Sequence, residues 1–171
     1  MDFAVLRADA GGDVERLLTD LADWLIAEGH VPVGVVRDAA PGAGRHPCEM
    51  RLRVLPDGPR IAIDQPLGAG STGCRLNADA LEQAVVEVER RLSRRADIFL
   101  LNKFGRQEAE GHGFRAAIGH ALDRGLPVLL GVGRFSVAPF EDFAGGLAET
   151  LPCETTALRD WCRAALKAPA P

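Results

Sequence analysis

The stretch Asp97-Ile-Phe-Leu-Leu-Asn-Lys-Phe-Gly105 decides the fold. It is an apolar run followed at once by polar residues, which is typical of a strand covered on both faces. The runs 31–36 and 127–132 have the same character, and segments with apolar residues at helical spacing separate the three. This alternation predicts an α/β fold with a mainly parallel, doubly wound sheet. Ligands of such sheets bind outside the carboxyl ends of the strands, which here directs attention to 102–113.

The segments around this stretch complete the same order of elements. Residues 3–6 predict a first strand, and apolar residues repeat at helical spacing from Val14 until Gly29. Alternation within about 48–64 predicts an inserted β-hairpin, and Asn77 is a candidate N-cap for the helix that follows it. The terminal part, about 140–167, predicts two short helices, at 140–151 and 155–166. We therefore expect a single domain over 1–171.

Composition excludes several classes of protein. The net charge is -4 and aromatic residues make up 5% with no tyrosine, which argues against a nucleic-acid surface. No run approaches the roughly 18 apolar residues of a membrane span, and the four cysteines include no C-x-x-C pair of a zinc site. A reduced, cytoplasmic protein is the expectation. Of the 20 basic residues only Lys103 and Lys167 are lysines.

The loop after the first strand stands where a phosphate-binding loop would stand. A Walker A loop combines glycines with a lysine for the phosphates and a Ser or Thr for magnesium. The sequence Ala8-Asp-Ala-Gly-Gly-Asp-Val14 has the glycines but no lysine and no hydroxyl. Its acidic residues, Asp9 and Asp13, would repel a triphosphate. We interpret the loop as a tight turn into a helix, with Asp13 as the helix cap; a residual nucleotide site is the alternative.

A second glycine-rich segment, Gly68-Ala-Gly-Ser-Thr-Gly-Cys-Arg75, has the groups that a tetrahedral oxyanion needs. Backbone N–H groups and a following helix N-terminus would supply a positive field, the hydroxyls directional donors and the guanidinium a permanent charge. The alternative is a flexible connection in which Arg75 pairs with a neighbour such as Asp79. The candidate ligand-binding residues in this segment are Gly70, Ser71, Thr72, Gly73 and Arg75.

Asn102 and Lys103 form the third candidate element, at the end of the strand predicted after Asp97. Lys103 would face an anion and Asn102 would bind the ligand or the loop; the alternative is an ordinary polar strand end with a turn. The pair resembles the start of the guanine-reading Asn-Lys-x-Asp sequence, but Gly105 stands where the carboxylate would be. Guanine recognition is therefore not expected.

Acidic and nucleophilic residues near these loops suggest other chemistry. Glu108 and His112 are four residues apart, which would suit a metal or acid–base pair on a helix, but the glycines flanking His112 disfavour a regular helix. Cys74 next to Arg75 could be a reactive thiolate or a packing residue. The roles of Glu108, His112 and Cys74 stay open, and no catalytic residue or metal ligand is assigned.

Two motifs together, Leu67–Asn77 and Asp97–Arg115, resemble those of a bacterial family of unknown function (DUF2478). Its members look like relatives of the small P-loop nucleoside-triphosphatases and often occur beside molybdate-transport and molybdenum-cofactor genes. The resemblance runs from the first strand to about Leu151. It implies a P-loop-type, three-layer sandwich carrying the inserted hairpin, and it makes molybdate or tungstate the expected anion.

The chain departs from the related triphosphatases at both halves of their hydrolytic apparatus. Those enzymes have a Walker A lysine and hydroxyl in the first loop, and an Asp-Glu pair where Asn102 and Lys103 stand here. The expectation is therefore a non-hydrolysing domain that binds a small oxyanion, leaning against an enzyme and requiring no cofactor. Arg106 and Arg115 are expected to add outer positive charges.

Two alternatives stay open at this point. One is a divergent nucleoside-triphosphatase or nucleotide-dependent transferase that uses Glu108 or Glu110 to position water or magnesium. The other is a protein-interaction module in the maturation of molybdenum enzymes. The expected partner is a small oxyanion, with neither nucleic acid nor membrane, and a homo-oligomer is possible because alanine-rich helices can pack on a second copy.

Overall fold

A computed structural model describes residues 1–38, 50–67 and 74–167 of the chain. The strands are β1 Phe3–Arg7, β2 Pro32–Arg37, β3 Arg51–Leu55, β4 Arg60–Ala62, β5 Asp64–Pro66, β6 Cys74–Leu76, β7 Ile98–Phe104, β8 Val128–Val132 and β9 Glu149–Thr150. The α-helices are α1 Val14–Ala27, α2 Ala78–Leu92, α3 Arg106–Ala109, α4 Arg115–Asp123, α5 Val137–Ala144 and α6 Thr155–Lys167.

The central sheet has the strand order β4-β3-β2-β7-β8-β1-β9. The strands β2, β7, β8, β1 and β9 are parallel, whereas β3 and β4 extend the β2 edge in antiparallel fashion. The predicted parallel α/β sheet with an inserted hairpin is therefore confirmed. Because β8 lies between β1 and β7, the loops after β1 and β7 meet at one edge of the sheet.

Helices cover both faces of this sheet and make three layers. On one face, α1 and α6 bury Leu18, Leu25 and Leu158 against the strands. On the other, α2, α4 and α5 bury residues such as Val88 and Ile118. The middle strands contribute to both clusters, which is why β7 and β8 read as nearly continuous apolar runs.

Local signals in the sequence place the helix starts as expected. The Asp13 carboxylate accepts a hydrogen bond from the Arg16 N–H at 3.1 Å and caps α1, and the Asn77 side chain accepts from the Ala80 N–H at 3.1 Å and caps α2. Both satisfy an N–H that would otherwise lack a partner in the first helical turn. Among the described residues, no helix is long and apolar enough to cross a membrane.

Two sequence predictions of local structure are wrong. The helix predicted at 140–151 ends at Ala144, because Gly145 takes a left-handed conformation with φ of 57°, and Glu149–Thr150 instead pairs with β1 as the edge strand β9. The segment before α2 is also not all loop. Residues Cys74–Leu76 form a strand that pairs antiparallel with β5.

Candidate functional site

A cavity of about 430 Å³ opens at the carboxyl end of β7. Three of the predicted ligand-binding residues line it: Asn102 and Lys103 from the strand, and Arg106 from the first turn after it. The same cavity is bounded by the first turn of α1 through Glu15 and by apolar side chains from the neighbouring strands and helices. The structure thus brings the strand end and the first helix together in one site.

Lys103 is held in an ion pair across this edge. Its Nζ lies 3.8 Å from the Oε1 of Glu15, whose other carboxylate oxygen accepts a hydrogen bond from Arg37. The lysine side chain runs close to two glycines on β8 and just after it: a Cβ on Gly131 would lie 3.7 Å from the Lys103 Cβ, and one on Gly133 would lie 3.8 Å from its Cδ. Lys103 remains 44% exposed, so its ammonium group is accessible to a ligand.

Asn102 is almost completely buried at the wall of the cavity, with 8% of its surface exposed. Its Oδ1 is sealed from solvent and has no hydrogen-bond partner within 1–38, 50–67 and 74–167. Buried amide groups are normally paired, since an unpaired one costs free energy. The Asn102 side chain is thus a polar group at the cavity that packing alone does not satisfy.

Arg106 contributes charge at the mouth of the cavity. Its Nε donates a hydrogen bond of 2.8 Å to Glu110 on the next turn, and this contact raises the pKa of Arg106 above its ordinary value. The side chain is 86% exposed. Screening by water makes such a surface pair weak, so the guanidinium is free to turn toward a ligand.

Glu108 has a structural role that the sequence reading left open. It is 4% exposed, its Oε2 accepts from the Gly105 N–H at 3.0 Å and its Oε1 accepts from the Phe114 N–H at 3.0 Å. The carboxylate therefore closes the loop between β7 and α4. Glu108 stands three residues after Gly105, the N-cap of α3, which is the position of the glutamate in a capping box; the sequence held this half of the signal, without the Ser or Thr that completes it.

Two other predicted site residues, Arg75 and Arg115, are not among the residues that line this cavity. Arg75 is exposed on β6, opposite Gln65 of β5. Arg115 donates to the main-chain oxygen of Glu108 at 3.1 Å and stacks over Phe143 at 4.9 Å from the ring centre. Arg115 thus stabilises the segment between β7 and α4. Gly70, Ser71, Thr72 and Gly73 lie outside the described residues.

In the loop after β1, a basic and an acidic side chain, Arg7 and Asp9, pair with each other. Arg7 donates to both carboxylate oxygens of Asp9, at 3.1 and 2.9 Å, and this hydrogen bonding lowers the pKa of Asp9. Gly12 lies against Cys153, whose Cβ would be 2.9 Å from a Cβ at Gly12. The loop therefore presents acidic groups where a phosphate-binding loop would present a lysine.

His112 lies in the turn between α3 and α4, where its main-chain N–H donates to the Gln107 oxygen at 2.8 Å. His112 is therefore not on a helix with Glu108, and both Glu108 oxygens accept main-chain hydrogen bonds, so the two residues do not form the predicted i, i+4 metal pair. No group of three or more His, Cys, Asp or Glu residues that could hold a metal ion occurs in the described part of the chain.

Comparison with protein families matches residues 3–161 to a family described as "Protein of unknown function (DUF2478)". The chain belongs to this family. The match covers nearly the whole sequence, including the first loop, β7 and the loop that follows it, so the resemblance inferred from the two motifs is confirmed.

The chain is also similar to a molybdenum import ATP-binding protein, ModC 2, of Bradyrhizobium diazoefficiens. The two are 35% identical over 154 residues, which is 88% of this chain but 17% of that protein. The chain therefore corresponds to a small part of its relative.

Two solved structures share the fold. The solution structure of a human cancer-related nucleoside triphosphatase superposes with a TM-score of 0.69 at 15% identity, covering 99% of this chain and 100% of the other. The crystal structure of THEP1 from the hyperthermophile Aquifex aeolicus gives 0.67 at 12% identity, covering 98% and 100%. The predicted P-loop-NTPase-like fold is thereby confirmed.

Proposed function

We propose that the chain is a non-hydrolysing domain of P-loop-like fold that binds a small oxyanion, molybdate or tungstate, at the carboxyl end of β7. The observation that carries the proposal is the convergence of Asn102, Lys103 and Arg106 on one cavity. In this proposal, Lys103 contributes charge, Asn102 contributes its side-chain NH₂ and Arg106 closes over the ligand from the mouth.

The chemistry of these donors suits an oxyanion. Ammonium and guanidinium groups make short, charge-assisted hydrogen bonds to anionic oxygens. The Asn102 Oδ1 has no hydrogen-bond partner among the described residues, but this oxygen only accepts, so an oxyanion would bind the NH₂ end of the same amide. The ion pairs of Lys103 and Arg106 leave both groups partly exposed and are the only described contacts that an anion would have to compete with.

Hydrolysis is not part of the proposal, because the groups for it are missing or engaged. The first loop carries Asp13 as a helix cap where a lysine would be needed. The strand end at Asn102 and Lys103 offers no carboxylate for magnesium, and both oxygens of Glu108 accept from main-chain N–H groups. Molybdate or tungstate is named because the similar Bradyrhizobium protein, of which the match covers 17%, is a molybdenum import ATP-binding protein.

Calorimetric titration with molybdate, tungstate, phosphate and sulfate tests the proposal. We expect saturable binding of molybdate or tungstate, weakened at least tenfold by Lys103→Gln. The chain offers a matched control in its only other lysine, because Lys167→Gln removes the same charge from the exposed end of α6. No saturable binding, or equal affinity in the two variants, would contradict the proposal.

A divergent nucleoside-triphosphatase is the second candidate, favoured by the fold it shares with the two solved structures. It would release phosphate from ATP or GTP with magnesium, and Glu110→Gln would abolish the release. The proposed function expects no release above the buffer rate for any nucleoside triphosphate. Turnover that survives repurification and falls in the Glu110 variant would establish the second candidate in its place.

A further inference from the structure

We propose that the cavity binds its anion as part of a larger molecule, a small oxyanion joined to an apolar or aromatic organic group. This inference rests on the proposed function and specifies the class of ligand for the same site. The anionic end would lie at Asn102 and Lys103, and the organic group would fill the rest of the cavity.

The size of the cavity is the first reason. At about 430 Å³ it falls within the range of roughly 300–1,000 Å³ that is typical of pockets for organic small molecules. A tetrahedral oxyanion has four oxygens around one atom and would occupy only the space next to its donors. Most of the cavity is therefore left for another part of the ligand.

The chemistry of the walls is the second reason. Besides polar residues such as Gln107 and Glu110, the cavity is lined by apolar side chains of the hydrophobic core between the sheet and helices α2 and α4: Leu52, Ile63, Leu81 and Phe114. These side chains form no hydrogen bonds with a hydrated inorganic ion. Burying an apolar group against them, in contrast, is favourable because it removes apolar surface from water.

The rim of the cavity also carries apolar side chains. Met50 and Leu76 both line it, and each keeps 37% of its surface exposed. Large apolar side chains exposed together beside a cavity are typical of a ligand-binding surface. The polar lining residues come from Glu15 and the segment 102–110, whereas the apolar ones come chiefly from 50–52, 63 and 76–81, a division that suits an amphiphilic ligand.

A matched pair of probes tests this inference. Phenyl phosphate and inorganic phosphate present the same oxyanion with and without an aromatic ring, and methyl phosphate controls for the ester bond. Titrations at about pH 8.5 keep all three chiefly as dianions, since this pH lies well above the second pKa of a phosphate monoester, about 6, and also above that of inorganic phosphate, which is higher. We expect phenyl phosphate to bind at least tenfold more tightly than inorganic phosphate, with methyl phosphate close to the inorganic ion.

Two variants separate the ends of the ligand. Leu76→Gln changes an exposed rim residue without opening the core, and we expect it to reduce the advantage of phenyl phosphate while leaving phosphate affinity unchanged. Lys103→Gln should weaken all three probes. Equal affinity for phenyl and inorganic phosphate would overturn this inference alone and leave the proposed function standing. Failure of every probe, and of molybdate and tungstate, would overturn both.

Discussion

Lys103 at the end of β7 and Glu15 in the first turn of α1 form an ion pair, with 3.8 Å between Nζ and Oε1. In a Walker-type triphosphatase the cation belongs to the loop before the first helix and the carboxylates to the strand. Here the cation stands on the strand and a carboxylate stands at the start of the first helix. Glu15 therefore lies next to the cation that the proposed anion needs, and competes with that anion for it.

The first prediction concerns this competition. Glu15→Gln removes one negative charge beside the site, so we expect it to raise molybdate affinity by about 3- to 10-fold, equivalent to roughly 0.7–1.4 kcal/mol of removed repulsion. Perrhenate is a tetrahedral ion of similar shape with one charge fewer, and its affinity should rise less. Calorimetry of both ions measures the ratio.

Glu89→Gln is the control for that measurement, because it removes the same charge from an exposed position on α2 outside the cavity. It should leave both affinities unchanged. An equal effect of Glu15→Gln on the two ions, or a loss of affinity, would show that Glu15 does not act on the ligand through its charge.

The second prediction concerns Glu108, whose carboxylate accepts hydrogen bonds from Gly105 and Phe114. Glu108→Gln places an NH₂ group against one of these N–H donors and removes the charge. We expect a loss of about 2–3 kcal/mol in the free energy of unfolding, which is a fall of roughly 5–10 °C in Tm for a chain of this size. Thermal unfolding measures it.

The exposed neighbour Glu110 is the matched control, and Glu110→Gln should change Tm by less than about 2 °C, since it breaks only a surface ion pair. Should Glu108→Gln keep its Tm and instead abolish a phosphate-releasing activity, Glu108 would be a catalytic residue and its structural assignment would be wrong.

The third prediction compares the two glycines beside Lys103. A Cβ on Gly131 would lie 2.8 Å from the Val14 Cγ1 and 3.2 Å from the Leu18 Cδ1, so Gly131→Ala has to push α1 away from the sheet. We expect it to destabilise the protein by about 1–3 kcal/mol, as overpacking does. Moving α1 also carries Glu15 away from Lys103, so anion affinity should rise, in the same direction as in Glu15→Gln. Denaturant unfolding and titration measure the two effects.

Gly133→Ala serves as the comparison, since its Cβ would make only ordinary contacts, the nearest at 3.8 Å. It should fold with nearly unchanged stability and keep its affinity for the anion. If both alanine variants behaved alike, the close packing of α1 on β8 would not be what sets the geometry of the site.

The fourth prediction concerns alkaline pH. Burial raises the pKa of the Cys162 thiol from 9.0 to about 12. A group whose pKa is raised on folding stabilises the protein below its ordinary pKa, and this contribution is lost as the pH rises toward the folded value. Stability should therefore fall from about pH 9 upward, and the chain has no tyrosine to add to the slope.

Urea unfolding of the wild type and of Cys162→Ala at several pH values between about 8 and 10.5 measures that slope. The alanine variant starts from a lower stability because it leaves a small cavity, but its stability should fall less steeply with pH. An identical slope in both proteins would mean that the Cys162 thiol does not titrate differently on unfolding.

Much of the fold could be predicted from sequence because its signals are local and strong. Each of the strands β2, β7 and β8 is predicted by its own apolar run. The starts of α1 and α2 are predicted by the caps Asp13 and Asn77. The edge strand β9 could not be predicted, because two residues carry no periodicity and the pairing with β1 depends on the chain leaving α5 at Gly145.

The site was only partly predictable for a similar reason. Asn102 and Lys103 follow from the end of a buried strand, but Glu15 meets Lys103 only through the strand order, which puts β7 two positions from β1. The distance between Glu15 and Lys103 therefore cannot be predicted from sequence alone. The sequence predicts Arg115 as an outer positive charge, but its position over Phe143 depends on where α4 and α5 lie in the fold, which composition does not reveal.

The most direct test of the central claim is an anomalous difference map from crystals soaked in tungstate. The proposed function predicts one strong tungsten peak within hydrogen-bond distance of the Lys103 Nζ and the Asn102 side chain, which Lys103→Gln abolishes under the same soak. No peak at the carboxyl end of β7, or a main peak elsewhere on the molecule that the Lys103 variant leaves intact, would contradict it.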